Sequence, residues 1–360
     1  MEMKYYSLKQ ILKKNAQYNI IIGERSNGKT YACLLHCLKE YICNGNQFAI
    51  VRRWKEDVRG KRASTIFNSI CANNEISELT NEQFNNVYYQ NGCWYLMKVD
   101  IDLKKPVLDS KPFAYGFALT DMEHDKSTSY PNITNIIFDE FITRSAYIPD
   151  EFMLFMNVIS TIVRHRDNVK IFMLGNTVNK YSPYFNEFGL TNIQSQKQGT
   201  IDLYKYGNSK LKVAVEYCDN INKSKPSDIY FAFNNPKLNM VTNGVWEMDI
   251  YPHLPYKYKP KDILFYFFVI FGNDILQCEI INVNDDSFIY VHRKTTPIKK
   301  DTDLVYSLNA SSNIYTFKYI DKPLHRIQKK IVYYFQANKI FYQNNEVGEI
   351  LRNYINASKA

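Results

Sequence analysis

Apolar and polar positions along the first half of the chain fall into short blocks. Tyr18-Asn19-Ile20-Ile21-Ile22 is a short, nearly unbroken apolar run, suited to a buried parallel strand. Ahead of it, Met1 to Asn15 predicts a short helix. Behind it, after a polar and glycine-bearing turn, Tyr31-Ala32-Cys33-Leu34-Leu35-His36-Cys37 is rich in helix formers and predicts a helix. Gln47-Phe48-Ala49-Ile50-Val51 predicts a second buried strand that ends in Arg52-Arg53-Trp54-Lys55. Residues 56–130 hold no helical period throughout. They predict a helix over Ala63 to Asn74 and short strands at Val87–Tyr89, Cys93–Val99 and Phe113–Leu119. Asn135-Ile136-Ile137-Phe138-Asp139-Glu140-Phe141 is an apolar strand running into two adjacent carboxylates. Pro149 predicts the first position of a helix, with Phe152, Phe155, Met156, Ile159 and Val163 on its apolar face and Arg164-His165-Arg166 at its end. Lys170 to Leu174 predicts a further buried strand, closed by Gly175-Asn176-Thr177. Strands alternating with helices in this way predict an α/β domain with a mostly parallel sheet.

From about Tyr217 the texture changes. Ser224-Lys225-Pro226-Ser227-Asp228 reads as a helix start, and Pro252, Pro255 and Pro260 punctuate a linker-like stretch. Three strand-like runs follow, Ile263–Phe271, Ile275–Val283 and Ser287–Arg293. Gly272-Asn273-Asp274 and Asn284-Asp285-Asp286 separate them as hairpin turns. Helical segments lie around Leu324–Ala337 and Glu346–Ile355. The expected organisation is a first domain over 1–223, a linker over 224–255 and a smaller α+β domain over 256–360.

The turn between the first strand and helix is Gly23-Glu24-Arg25-Ser26-Asn27-Gly28-Lys29-Thr30, the G-x-x-x-x-G-K-T pattern of a phosphate-binding P-loop. Gly23 and Gly28 allow the tight turn that brings backbone N–H groups onto phosphate oxygens. The helix points its positive end at the same phosphates. Lys29 reaches the β- and γ-phosphates of ATP, and the Thr30 hydroxyl can ligate Mg²⁺. Asp139 and Glu140 form the matching pair at a strand end. Asp139 is expected in the Mg²⁺ shell, and Glu140 as the base that orients and polarises the attacking water. Asn176, at the tip of the next strand, is a candidate γ-phosphate sensor. These residues predict a nucleotide hydrolase.

Composition changes this picture little. The 360 residues are 45% hydrophobic, enough for real cores, and carry a formal net charge of +9, which suits a polyanionic partner without requiring one. The seven cysteines form no C-x-x-C pairs, and their odd number and the absence of a signal peptide point to a reducing cytoplasm. Cys33, His36 and Cys37 sit at helical spacing, where buried packing is preferred over a metal site. The most apolar run, Ile263 to Phe271, is too short to cross a membrane as a helix. The basic cluster Arg52 to Lys55 lies at a strand's carboxyl end, where ligands collect, and is balanced between a phosphate contact and a solvated loop. The polar tips at Lys104-Lys105 and His124-Asp125-Lys126-Ser127 are open to nucleic acid or to solvent alone.

Taken in order, Gly23 to Thr30, Val51-Arg52-Arg53-Trp54-Lys55, Lys126 to Tyr130 with Pro131-Asn132, Ile136 to Phe141, Ile148-Pro149 and Val163-Arg164-His165-Arg166 resemble the genome-packaging ATPases of phi29-like tailed phages. The resemblance is strong over residues 1–190 and continues in layout to the end. It implies an additional-strand P-loop ATPase working as a homomeric, pentameric ring docked on a portal. Such a ring would drive double-stranded DNA into an empty procapsid with ATP and Mg²⁺, in the host cytoplasm and transiently at the procapsid vertex. A packaging RNA is a further candidate partner. Carried over by position, Arg164 is implied as an arginine finger given to the neighbouring subunit, with Arg166 as runner-up. From the residues alone both are a basic helix end that suits the helix dipole. Lys126 and the Lys104-Lys105 loop are implied as DNA-facing, and Lys55 as close to the subunit interface. The loop from Asp100 to Lys111 is longer than the family's, which weakens the DNA assignment.

The C-terminal meander with its helices is similar to the ribonuclease-H-like nuclease domain of large phage terminases. Two-metal hydrolysis needs several converging carboxylates. The first strand carries none, Glu279 stands alone on the second, and Asp274, Asp285 and Asp286 fall in turns. The domain is therefore expected to be nuclease-inactive. Its lysines Lys257, Lys259, Lys261, Lys299 and Lys300 suit DNA, a portal surface or plain solubility. Two other functions remain open at this stage: another ring DNA translocase or a helicase, and a nucleotide-gated structural subunit with little turnover.

Overall fold

The computed structural model describes residues 5–99, 105–124, 128–144, 147–193, 195–219, 246, 251–254, 257–283 and 286–359. The chain divides into two compact units, Met1–Arg144 with Asp150–Trp246, and Ser145–Pro149 with Glu247–Ala360. Of the stretch read as a linker, 224–255, only Trp246 and residues 251–254 are among those described.

In the first unit the strands are β1 (Tyr18–Gly23), β2 (Gln47–Arg52), β3 (Asn86–Gln90), β4 (Cys93–Lys98), β5 (Val107–Leu108), β6 (Ala114–Ala118), β7 (Ile133–Asp139), β8 (Lys170–Asn176), β9 (Thr200–Lys205) and β10 (Lys212–Tyr217). They form one sheet in the order β3-β4-β6-β2-β7-β8-β1-β10-β9, with β5 on β4. β6, β2, β7, β8, β1 and β10 all run parallel, and the antiparallel pairings, β4 on β6, β3 on β4 and β9 on β10, lie outside them. A parallel sheet is stable when both faces are covered, so its strands read as continuous apolar runs. Ile20 to Ile22, Phe48 to Val51, Ile136 to Phe138 and Ile171 to Leu174 are accordingly all buried.

Side chains alternate between the two faces. Ile21, Phe48, Ile50, Ile137, Phe172 and Leu174 join one buried cluster with Cys33, Leu34, Cys37 and Leu38 of α2 (Lys29–Asn44), the helix that follows the one-turn α1 (Lys9–Leu12). Helices α3 (Gly60–Ser64), α4 (Asn68–Ala72) and α5 (Glu75–Leu79) extend that cluster through Ala63, Phe67, Ile70 and Ile76. On the other face, Phe138 stacks on Phe155 of α6 (Glu151–Val163), ring centroids 4.8 Å apart. It also meets Tyr184 of α7 (Pro183–Glu187) edge-on.

Some elements differ from the sequence expectation. Met1 to Asn15 contains only the single turn α1 among its described residues. The helix expected over Ala63 to Asn74 is broken into the end of α3 and α4, with α5 opening just beyond it at Glu75. The Thr65 hydroxyl bonds back to the Arg62 carbonyl at 2.9 Å, and Asn74 takes a left-handed backbone, φ 58°. Burial at 63, 67 and 70 keeps the three-to-four spacing that made the segment look continuous. Helix α6 opens at Glu151 behind left-handed Asp150, not at Pro149, because the buried Glu151 carboxylate fixes the first turn. Its buried stripe is Phe155, Val158, Ile159 and Ile162, while Phe152, Met156 and Val163 are only half-buried. Strands β9 and β10 were not anticipated.

The second unit holds a six-stranded sheet, with β11 (Ile263–Phe271), β12 (Asp274–Val283), β13 (Asp286–Arg293), β14 (Val305–Ser307), β15 (Thr316–Phe317) and β16 (Ile340–Tyr342) in the order β15-β14-β11-β12-β13-β16. β11, β12 and β13 form the antiparallel meander read from the sequence. β14 adds parallel to β11, β15 to β14 and β16 to β13. The β11–β12 loop is Gly272-Asn273, with Gly272 at φ 59°. Helices α8 (Arg326–Gln336) and α9 (Asn345–Lys359) bury Ile331, Tyr334, Val347, Ile350, Leu351 and Tyr354. Asp274 and Asp286 are strand residues rather than turn formers. Asp274 pairs with Arg293, and Asp286 with Lys339 at 2.9 Å. Asp285 lies outside the described residues.

Candidate active site

Register brings four strand ends together. Ile22 of β1 lies opposite Gly175 of β8, Gly23 opposite Asn176, Asp139 of β7 opposite Leu174, and Val51 of β2 opposite Phe138. The four strands are parallel neighbours in the order β2-β7-β8-β1, with β8 inserted between β7 and β1. Arg52, Asp139, Asn176 and Gly23 therefore stand side by side at one sheet edge, the carboxyl edge where open α/β sheets bind ligands.

The loop from Gly23 to Thr30 rises from β1 and runs directly into α2. Gly28 caps the helix with φ +91°, a conformation that disfavours any side chain. Gly23 is tight for a different reason: a Cβ there would come within 2.8 Å of the Cys218 Cβ. Lys29 is 5% exposed, and its ammonium donates to the Glu24 carbonyl at 2.6 Å, Asn27 Oδ1 at 3.1 Å and Asn176 Oδ1 at 3.2 Å. Burial pulls the Lys29 pKa below the ordinary lysine value, opposed by Cys218, Asp139 and Glu24. Burial also pushes the Glu24 carboxyl up, against the pull of Lys29.

The Thr30 hydroxyl lies 3.2 Å from Asp139 Oδ2 and 3.3 Å from Oδ1. Asp139 is buried, and its Oδ1 accepts the backbone N–H of Glu140 at 3.0 Å. At Glu140 the chain turns through φ +60°, so the two carboxylates leave the strand in different directions. The Glu140 side chain is 66% exposed. Ser26, Lys29, Thr30, Asp139, Glu140 and Asn176 all line one open cavity of about 260 Å³. Such a cavity, lined by an ammonium, a hydroxyl and two carboxylates, offers the groups that a phosphate chain with a hard cation would use.

Arg52 was weighed as a phosphate contact, and the structure gives it another task. Its guanidinium reaches Asp139 Oδ2 at 2.8 Å and Glu140 Oε2 at 2.9 Å, bridging the two carboxylates. The signal was available in principle: Arg52 ends a buried strand, as Asp139 does, and adjacent parallel strands align their ends. Arg53 turns to the other face and donates to Glu151 at 2.8 and 2.9 Å and to the carbonyls of Glu140 at 3.2 Å and Phe141 at 2.9 Å. Glu151 also accepts the Tyr184 hydroxyl at 2.9 Å. Lys55 pairs with Asp121 at 2.9 Å. The cluster thus meets acidic partners, because a buried cationic strand end is stable only when paired. Glu151 was missed, since a glutamate in a first helical turn looks like an ordinary dipole partner.

Arg164, Arg166 and Lys105 are not among the residues that line the cavity. Arg164 follows α6 with φ 51°, and its guanidinium donates to the Thr128 carbonyl at 3.0 Å on an exposed surface. Arg166 is spent on structure, donating to the carbonyls of Pro131 at 2.9 Å, Ile133 at 2.6 Å, Tyr130 at 3.1 Å and Ile162 at 2.6 Å. Lys105 is exposed. Lys104 and Lys126 lie outside the described residues. Cys33 and Cys37 are buried with both thiols pushed up by burial, and the His36 ring packs edge-on to Phe172 at 5.8 Å.

In the second unit Glu279 is buried. Its carboxylate accepts from the Tyr258 hydroxyl and from Gln277 Nε2, each at 2.8 Å, and His292 Nε2 is 3.4 Å away. Burial alone would raise its pKa, but His292, Tyr258 and Gln277 outweigh burial and hold it below the ordinary value. Among the described residues no helix is long and apolar enough to cross a membrane.

Comparison with known proteins agrees with this architecture. The DNA packaging protein of Bacillus phage B103 is 35% identical over 175 residues, 48% of this chain and 48% of that protein. The DNA packaging protein of Bacillus phage phi29 is 29% identical over 189 residues, 52% of this chain and 50% of that protein. The chain thus matches about half the length of these curated relatives. Among solved structures, the bacteriophage Phi-29 viral genome packaging motor assembly superposes with a TM-score of 0.57 at 21% identity, covering 97% of this chain and 99% of that one. At that identity the likeness establishes a shared fold. The sequence model of the podovirus DNA encapsidation protein (Gp16) matches residues 2–358, and the chain belongs to that family.

Proposed function

We propose that the chain is an ATP-driven double-stranded DNA translocase that packages a phage genome into the procapsid, as a homomeric, pentameric ring on the portal in the host cytoplasm. The observation that carries this reading is the apposition of Thr30 and Asp139 at 3.2 Å beside the buried Lys29. Hydroxyl and carboxylate oxygens facing each other are a donor pair that fits Mg²⁺, and the glycine turn with Lys29 fits the phosphates of ATP. When bound, Mg²⁺ supplies positive charge that offsets the charge of the transferring phosphoryl group.

The chain's own groups divide the remaining work. Lys29 exchanges its contact with the Glu24 carbonyl for phosphate oxygens. Glu140, exposed at its bend, orients the attacking water and accepts its proton. Asn176, already hydrogen-bonded to Lys29, reports the γ-phosphate. Arg164 reaches the neighbouring subunit's nucleotide, while Lys104, Lys105 and Lys126 face DNA. The printed names of the relatives, DNA packaging proteins, support the same reading. For the second unit, the order β13-β12-β11-β14-β15, antiparallel then parallel, supports a ribonuclease-H-like sheet. The engagement of Glu279, Asp274 and Asp286 with protein partners supports its being nuclease-inactive.

The test is ATP hydrolysis on plasmid DNA by wild type and Glu140→Gln. Wild type should hydrolyse faster with DNA present and leave the plasmid uncut. Glu140→Gln should bind ATP yet hydrolyse it about 10²–10⁴-fold more slowly. A wild-type rate in Glu140→Gln would remove the carboxylate pair from the mechanism. Nicking of the plasmid that persists in Glu140→Gln would overturn the inactive-nuclease reading. Strand separation on forked DNA would favour a helicase, and negligible turnover a nucleotide-gated subunit.

A further inference from the structure

Helix α2 starts at the phosphate loop, and its far end meets a second loop. Tyr41 lies about 18 Å along the helix axis from Lys29. Its ring is half-buried against the cluster that α2 shares with the sheet, and packs on Phe113 with centroids 5.9 Å apart. Its hydroxyl donates to Asp109 Oδ2 at 2.7 Å, with the Lys111 carbonyl 3.3 Å away. Burial first, and then Asp109, pushes the Tyr41 pKa up, so the hydroxyl keeps the proton it donates. Asp109 directly follows β5 and donates its own backbone N–H to the Leu96 carbonyl at 2.9 Å. Both residues of β5, Val107 and Leu108, have exposed side chains. The place of β5 therefore rests on backbone pairing with Met97 and Lys98 and on the contacts of Asp109. Lys105, exposed and implied as DNA-facing, stands just ahead of β5.

A helix is stiff along its axis, because backbone hydrogen bonds tie each turn to the next. The first turn of α2 carries Lys29 and Thr30. Exchange of protein contacts for phosphates thus acts on one end of the helix, and the Tyr41 hydroxyl meets Asp109 at the other. We propose that the hydrogen bond from Tyr41 to Asp109 is the link through which DNA held at Lys105 and nucleotide held at Lys29 act on each other. The proposal rests on the reading of the chain as a DNA-stimulated ATPase. Neither residue lines the nucleotide cavity, so both are positioning residues, Tyr41 on the helix and Asp109 on the loop. Coupling between two binding sites is reciprocal, so the link is read equally well from the nucleotide side and from the DNA side.

ATP hydrolysis by the full chain, with and without plasmid DNA, tests the link. Tyr41→Phe keeps the ring and removes the donor, and Asp109→Ala removes the acceptor. Each should keep the wild-type rate without DNA and lose stimulation by DNA about tenfold, the scale of a hydrogen bond to a charged group. The double variant should lose no more than either alone. Lys105→Ala should also lose stimulation, and adding Tyr41→Phe to it should change nothing further. In direct binding, a non-hydrolysable ATP analogue should shift the DNA affinity of wild type and leave that of Tyr41→Phe unmoved. Full stimulation in Tyr41→Phe or in Lys105→Ala overturns the link. So does an equal fall of the rate without DNA, which would make Tyr41 a mere support for α2, and so does an additive loss when Tyr41→Phe is combined with Lys105→Ala. If DNA stimulates wild type and both link variants alike, only the link fails. If DNA does not stimulate wild type, the translocase reading fails with it.

Discussion

Lys29 shows how far one residue's role follows from its surroundings. Its ammonium is buried and borrows three acceptors from the loop and from Asn176, none of them a carboxylate. Burial therefore dominates, and its pKa lies below the ordinary value. In the window between the lowered and the ordinary pKa, the unfolded chain holds a proton that the folded chain has released. Stability attributable to Lys29 thus rises with pH through that window, while the charge that attracts phosphate is lost. Titrating the wild type with ATP across the alkaline range should show affinity falling where thermal stability does not, and Lys29→Ala should bind no ATP at any pH. A parallel decline of both in wild type would count against this assignment. At this scale the sequence was legible where chemistry is tied to a local pattern. Ser26 to Thr30 and the pair Asp139-Glu140 line one cavity. Arg52 was not legible, because its meaning comes from the neighbouring strand: only the register of Val51 against Phe138 sets its guanidinium between two carboxylates.

The same dependence on partners governs the elements. Strands β1, β2, β7 and β8 were readable because burial on both faces leaves an unbroken apolar run. Strands β9 and β10 escaped: Thr200–Lys205 and Lys212–Tyr217 mix polar and apolar residues, and β9 lies at the sheet edge. The start of α6 was misplaced because a proline signals a helix start locally, whereas Glu151 sets it through a distant partner on β2's end. That pair joins three elements. Arg53 donates two short hydrogen bonds to Glu151, the Tyr184 hydroxyl of α7 donates a third, and Arg53 also donates to the carbonyls of Glu140 and Phe141. Removing one member of a buried pair leaves the other charge without compensation, typically about 3–5 kcal/mol. Glu151→Ala should therefore lower first-unit stability by about that amount in denaturant titration. It should also slow ATP hydrolysis by loosening the turn that carries Glu140. A loss smaller than about 1 kcal/mol, the scale of an exposed pair, would show that Arg53 finds other partners at little cost.

For the whole molecule, two expectations concern what the chain does with DNA and with its own copies. A motor that passes any sequence must grip the phosphate backbone, so DNA affinity should drop steeply with salt and vary little with base composition. Neutralising Lys104, Lys105 and Lys126 together should flatten that salt dependence, and an unchanged slope would take these lysines out of the DNA path. The ring is tested through Arg164. Of the two arginines after α6, Arg166 is consumed by four carbonyls, whereas the described contact of Arg164 is with one carbonyl on an exposed surface. An arginine finger is worth about 10³–10⁵ in rate, so Arg164→Ala should be nearly inactive alone, as should Glu140→Gln. If the finger acts across an interface, a Glu140→Gln subunit can lend its intact Arg164 to an Arg164→Ala neighbour that keeps its own Glu140. That hybrid site has every group, and mixed rings should regain single-site hydrolysis even where the dead neighbours still block coordinated packing. Recovery should vanish on dilution, because it depends on assembly. Arg166→Ala should give no such complementation; the segment 130–133 should loosen instead, which hydrogen exchange would register. If mixed rings form by mass and no ratio of the two variants restores hydrolysis, Arg164 does not act on a neighbour's nucleotide.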